Sequence, residues 1–316
     1  MTRSWVDALP AALSGRRREI DVPAIGRVSW YEDGPVARTG ARPLLLVHSV
    51  NAAASAYEVK TLYDHYRTTR AVYAIDLPGY GFSDRAARSY TPRLMCDAIH
   101  ALLALIAREQ GGVAVDALAV SLGCEFLARV AVERPDWIAS VALVSPTGFN
   151  GTTLREGPAG TSRGSAIALS VLYGRWYSRG VFSLLTRRGV IRYFLQRTFG
   201  SRRIDEGMLE YDYATTRPPG AEHAPLHFLS GFLFSADSGT LYRSLSQPVW
   251  VVHGVRGDFV NYTALEILNR APNWSVVVMQ TGALPHFEDL PAFLHQYDTW
   301  LAGASQDQPR AGVPVS

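Results

Sequence analysis

Alternating strand-like and helix-like runs predict an α/β fold, a mostly parallel, doubly wound sheet covered by helices on both faces. Three observations carry that reading. Short, unbroken apolar runs such as Leu44–Val47 suit strands buried on both faces; helical stretches separate them with short joints; and the same rhythm resumes near the C-terminus after a long interruption. At 316 residues, with 47% hydrophobic and 19% charged residues, the chain has the size of one large or two ordinary domains and too much apolar content for wholesale disorder.

Residues 1–18 read as an N-terminal extension. Glu19–Val22 and Arg27–Tyr31 follow as a β-pair around a turn containing Pro23 and Gly26. After the Leu44–Val47 strand come a helical stretch over 55–66, a strand Ala71–Ile75 and a Gly/Pro loop, Asp76–Asp84. A helix from Thr91 to Arg108 takes Pro92 in its first turn, where a missing N–H costs nothing, and Gly111–Gly112 ends it. Strand Val113–Ala119, a helix Leu122–Arg134 stopped by Pro135, and strand Ile138–Ser145 complete a first core segment, 19–147. The core resumes over 238–302 with strand Val249–His253, helix Tyr262–Asn269, strand Ser275–Met279 and helix Pro291–Leu301, leaving 303–316 as a flexible tail.

The intervening segment, 148–237, carries eleven arginines, no lysine and helical spacing. It reads as a helical cap over the strands' carboxyl ends, where open parallel sheets place their sites. A net charge of +3 gives no ground for a nucleic-acid partner. Cys96 and Cys124 cannot make a disulfide framework, no His/Cys/carboxylate group has metal-ligand spacing, and no glycine loop would cradle a phosphate. Neither a metal nor a cofactor is therefore expected. No apolar run approaches the ~18–20 residues of a membrane span. The weakly apolar start is interrupted by Asp7 and Pro10, unlike a secretory signal, so a cytoplasmic protein is expected.

Ser121 sits between a buried strand and a helix with small residues two positions either side, Ala119 and Gly123. A sharp strand-to-helix turn needs such neighbours, exposes the serine Oγ, and aims helix N–H groups at a developing oxyanion. The alternative for Ser121 is a plain helix N-cap.

Four stations in order make the chain resemble the α/β-hydrolase superfamily across roughly residues 19–302, with a cap inserted after the sixth strand. They are Leu44–Val50, like the strand and His-Gly oxyanion loop but with Ser49 for glycine; Asp76–Asp84, like the loop after the fourth strand; the turn at Ser121, where Ala119 replaces the usual glycine; and Pro248–Gly254 followed by Asp258, like the strand and loop that carry the acid. The resemblance implies Ser121 as nucleophile, the backbone N–H groups of Val50 and Leu122 as oxyanion donors, and Asp258 as the acid. For Asp258 a loop-capping role beside Gly257 stays open. His48 would be structural, and Asp76 would brace its own loop.

The last station departs from the family. Gly282-Ala283-Leu284-Pro285-His286-Phe287-Glu288 keeps the register of a Gly-His-x-Pro motif, and Ala283 occupies the position of the general base. An alanine methyl group moves no proton. Three explanations stand: His286 takes the role from three residues downstream; the site no longer hydrolyses and binds a ligand or performs chemistry that needs no Ser–His relay; or Ala283 is an introduced substitution. The functions in play are thus a serine hydrolase of a small or medium apolar ester with an atypical triad, and a non-hydrolytic ligand-binding or partner-docking protein. The arginine-rich, aromatic stretch 166–199 admits two readings as well. One is an amphipathic helix pair with arginine toward water; the other is a cationic face for anionic substrates or lipid headgroups, making peripheral membrane contact.

Overall fold

The computed structural model describes residues 9–35, 41–173 and 178–306. Eight strands form one sheet: β1 (Arg16–Val22), β2 (Gly26–Asp33), β3 (Leu44–Val47), β4 (Val72–Asp76), β5 (Val115–Val120), β6 (Ile138–Val144), β7 (Val249–His253) and β8 (Trp274–Val278). Their order is β1-β2-β4-β3-β5-β6-β7-β8; β1–β2 and β2–β4 are antiparallel and every other pairing is parallel. The sheet order reverses direction between β3 and β5, so a crevice opens beyond their carboxyl ends.

Alternation along the strands divides the core. Val47, Ala119, Leu143 and Val251 face a layer containing Leu102 of α2 (Pro92–Glu109) and Phe126 of α3 (Gly123–Glu133). Leu46, Val120, Val144 and Trp250 face the opposite layer, with Tyr63 of α1 (Lys60–Tyr66) and, beyond α10 (Pro285–Glu288), Phe293 and Tyr297 of α11 (Leu290–Gln306). Thr91 caps α2 through its hydroxyl, which accepts from the Leu94 N–H at 3.3 Å.

Several boundaries differ from the sequence reading. Arg16–Arg18 belong to β1, because opposite Trp30–Glu32 they gain a carboxylate partner that offsets three like charges. The predicted helix 262–269 is a short 3-10 segment, Thr263–Ile267. The predicted tail begins as helix, since α11 runs to Gln306; its remainder lies outside the described residues.

Among the described residues six helices lie between β6 and β7: α4 (Ala166–Leu172), α5 (Ser178–Leu185), α6 (Arg188–Phe199), α7 (Glu206–Thr215), α8 (His223–Leu229) and α9 (Ser238–Arg243). Two buried arginines tie this insertion to the core. Arg85 donates to the Thr215 carbonyl at 2.8 Å, and Arg129 on α3 pairs with Asp237 at 2.6 Å.

Candidate functional site

At the end of β5 the backbone of Ser121 adopts φ +51, a left-handed conformation that a non-glycine residue holds at a cost of about 1–3 kcal/mol. Its N–H donates to the Val144 carbonyl at 2.8 Å, which pins the turn to β6. Gly123 explains the tightness: a Cβ there would come within 2.4 Å of the His48 carbonyl oxygen. The N-cap of α3 is Leu122, with no capping side chain, so the Ser121 hydroxyl does not serve as the helix cap. Ser121 is partly exposed, and among the described residues its Oγ has no hydrogen-bond partner. Behind it Cys124 is buried, its Sγ 3.2 Å from the Ala119 carbonyl.

Across the crevice, the loop after β3 is held from both sides. The His48 ring donates from Nδ1 to the Ser49 carbonyl and accepts the Leu77 N–H at Nε2 (2.9 Å); burial pulls its pKa down to about 4. His48 is therefore a neutral brace. Asp76 likewise spans its loop, accepting from Ala56 and Phe82 N–H groups, and burial raises it to about 6. Val50 and Leu122 are both buried, and among the described residues neither backbone N–H has a partner. Buried N–H groups are rarely left so.

The loops after β7 and β8 are arranged differently. Helix α6 ends in a left-handed Gly200 (φ +56), with the Ser201 N–H returning to the Gln196 carbonyl at 3.1 Å. The Gly200 N–H reaches the Arg197 carbonyl at 3.3 Å, and the Thr198 carbonyl has no donor within its own segment. The Asp258 N–H adds a second donor to Arg197 O at 3.2 Å, and the Ala283 N–H satisfies Thr198 O at 2.8 Å. The fit is close: a Cβ on Gly282 would lie 2.4 Å from the Phe199 backbone, and one on Gly257 2.2 Å from the Arg197 oxygen. The Asp258 carboxylate, exposed, is paired with the Arg197 guanidinium. Asp258 and Ala283 thus share a role, capping the C-terminus of α6.

The structure does not place His286 as a replacement base. On α10 its ring is fully buried against Phe287 and Phe293, and Nε2 donates to the Glu58 carbonyl at 2.7 Å. Burial holds it near a pKa of about 4. Among the described residues no histidine ring is hydrogen-bonded to Ser121 or to Asp258.

Three participants escaped the sequence reading. Glu58, fully buried, accepts from the Ser49 N–H (2.8 Å) and from Asn51 (2.8 Å), so a carboxyl group supports the loop after β3 from beneath; burial pushes its pKa up. Glu125, one turn into α3, accepts from Thr147 at 2.6 Å and from the Ser235 N–H at 2.7 Å, and burial raises it to about 7. Arg197, counted only as part of a cationic face, is the residue that occupies Asp258. None stands in a recognisable motif, because each acts on a partner distant in sequence or inside an irregular loop. Among the described residues no cluster of His, Cys, Asp or Glu is arranged to hold a metal ion, and no helix is long and apolar enough to cross a membrane.

A model described as the alpha/beta hydrolase family matches residues 44–296. Among solved structures, a probable hydrolytic enzyme from Pseudomonas aeruginosa PAO1 superposes with a TM-score of 0.70 at 19% identity, covering 92% of this chain and 95% of that one. A thermophilic esterase from Thermogutta terrifontis gives a TM-score of 0.67 at 20% identity, covering 92% and 99%. At such identities these likenesses speak to the fold alone. A curated relative, the dihydrolipoyllysine-residue acetyltransferase component of an acetoin cleaving system from Cupriavidus necator, is 33% identical over 115 residues. That match covers 35% of this chain and 28% of the relative's length.

Proposed function

Because the chain belongs to the alpha/beta hydrolase family, we propose that Ser121 is the nucleophile of an acyl-transfer site for small or medium, fairly apolar esters, working without a histidine–aspartate relay. What supports this is the strained, partly exposed turn at Ser121 beside two buried N–H groups, Val50 and Leu122, that lack partners among the described residues. In this reading Ser121 Oγ bonds to the acyl carbon while the carbonyl electron pair moves onto oxygen between those two donors. Collapse expels the leaving group as an aryloxide and the serine proton passes to water; a water then adds to the acyl-serine carbonyl at the same donors, releasing the carboxylic acid and returning the Ser121 hydroxyl. Binding and the oxyanion hole alone leave about 10³–10⁴-fold acceleration over water. With no general acid, the leaving group must depart as a stable anion, so aryl esters should react and alkyl esters hardly at all. The inserted helices form the cap of this site, and we place a membrane contact on their outer face.

A fluorophosphonate probe and a paired panel of aryl and alkyl esters test the proposal. Labelling that disappears in Ser121→Ala, with turnover confined to aryl esters, is the expected result. One observation favours a second reading, that of a non-hydrolytic ligand-binding protein. The loops that carry Asp258 and Ala283 are committed to capping α6, and a cleft of about 580 Å³ opens beside them, apolar at Phe199, Ile204 and Phe287 and charged at Arg203, Arg256 and Glu288. Absent labelling, together with thermal stabilisation by an amphipathic acyl ligand such as a fatty-acid anion, would decide for it.

A further inference from the structure

We propose that the outer face of α6 and the adjoining β7 loop form a docking surface for an anionic lipid bilayer, a role that stands whether or not Ser121 turns over. Helix α6 sends Ile191, Leu195 and Phe199 into the core but leaves Tyr193 and Phe194 in solvent, packed edge-to-face on each other. Phe194 is 55% exposed. The β7 loop contributes Phe259, 57% exposed, and Val260. Arg197 joins the two groups into one patch, since its guanidinium bonds both the Tyr193 hydroxyl (2.8 Å) and Asp258, the residue preceding Phe259. Exposed aromatic rings around a cation make an amphipathic surface of the kind that seats in a headgroup layer.

Charge selects the partner. Residues 157–204 contain nine arginines and no Asp, Glu or Lys. Arg188, Arg192 and Arg197 are answered by Glu210, Glu206 and Asp258 from outside that stretch. Arg187, Arg202 and Arg203, at the two ends of α6, are exposed and have no ion pair among the described residues. Apolar insertion combined with uncompensated basic residues gives reversible binding that needs anionic headgroups.

Flotation of the full chain with phosphatidylcholine vesicles, with and without phosphatidylglycerol, tests the surface. We expect flotation only with phosphatidylglycerol, weakened by salt. It should fall roughly 100-fold in apparent affinity in the triple variant Arg187→Gln/Arg202→Gln/Arg203→Gln, at about fivefold per basic residue. Phe194→Glu/Phe259→Glu should lose flotation while its circular dichroism melt matches the wild type, both rings being surface groups. Flotation that ignores lipid charge, absence of flotation altogether, or retention by the folded double-Glu variant would overturn the proposal. So would a dimer in sedimentation velocity that the same substitutions dissolve, which would assign the patch to a second copy of the chain.

Discussion

The carboxyl ends of β5 and of β7–β8 lie in one sheet, yet they have been treated in opposite ways. At β5 the chain keeps an expensive conformation, with Ser121 at φ +51, and leaves its hydroxyl without a partner among the described residues. At β7 and β8 the backbone N–H groups of Asp258 and Ala283 are consumed by helix α6, and the Asp258 carboxylate by Arg197. Strain persists where the surroundings over-determine it, commonly at functional sites. The half that carries Ser121 thus retains its constraint, while in the other half the loops that carry Asp258 and Ala283 serve the end of α6.

Restoring the proton path should produce the largest effect. Ala283→His alone leaves Asp258 bound to Arg197, so little gain is expected. Combined with Arg197→Gln it should raise aryl-ester turnover by about 10²–10⁴-fold, the usual range for a positioned base. A double variant that still labels with fluorophosphonate but is no faster than the wild type would break the comparison.

The next effect is on stability against pH. Burial raises Glu125 to about 7 from an ordinary value of 4.5. Between those values the folded chain keeps a proton that the unfolded chain has lost, so stability falls as pH rises through that window. A shift of this size corresponds to about 3 kcal/mol. Asp76 adds to the same slope up to about 6, while His48 and His286, held down to about 4, oppose it by losing stability as pH falls below 6.5. Denaturation of Glu125→Gln beside the wild type isolates the Glu125 contribution, and the difference should vanish near pH 4.

Two glycine substitutions separate the halves directly. Gly123→Ala and Gly282→Ala each press a methyl group into backbone, against His48 and Phe199 respectively. Each should cost about 1–3 kcal/mol in a denaturant melt. Only Gly123→Ala should also abolish fluorophosphonate labelling. The smallest change is expected from Ser121→Gly, which relieves the left-handed strain and should stabilise by up to about 1 kcal/mol while removing the reactive group.

Much of the core was legible because its cues are local. The run Leu44–Val47, Pro92 in the first turn of α2, and Ala119/Gly123 around Ser121 announce their structure within a few residues. What stayed hidden depends on distant partners. Arg16–Arg18 read as a charged extension until Glu32 lies opposite. His286 is a core residue because Glu58, 228 positions earlier, meets its ring. The identity of Ala283 could be read, but not that the end of α6, contributed by the insertion, packs against it.

Cys124 sits in the first turn of the helix that follows Ser121, sealed beneath the bend, and burial holds its thiol well above the ordinary range. A thiol reagent can reach it only when that first turn breathes open. Cys96, on α2 and equally shielded, reports the opening of a neighbouring helix. The rates at which the two sulfurs are trapped would therefore give separate clocks for the nucleophile turn and its supporting layer, with no label to be engineered.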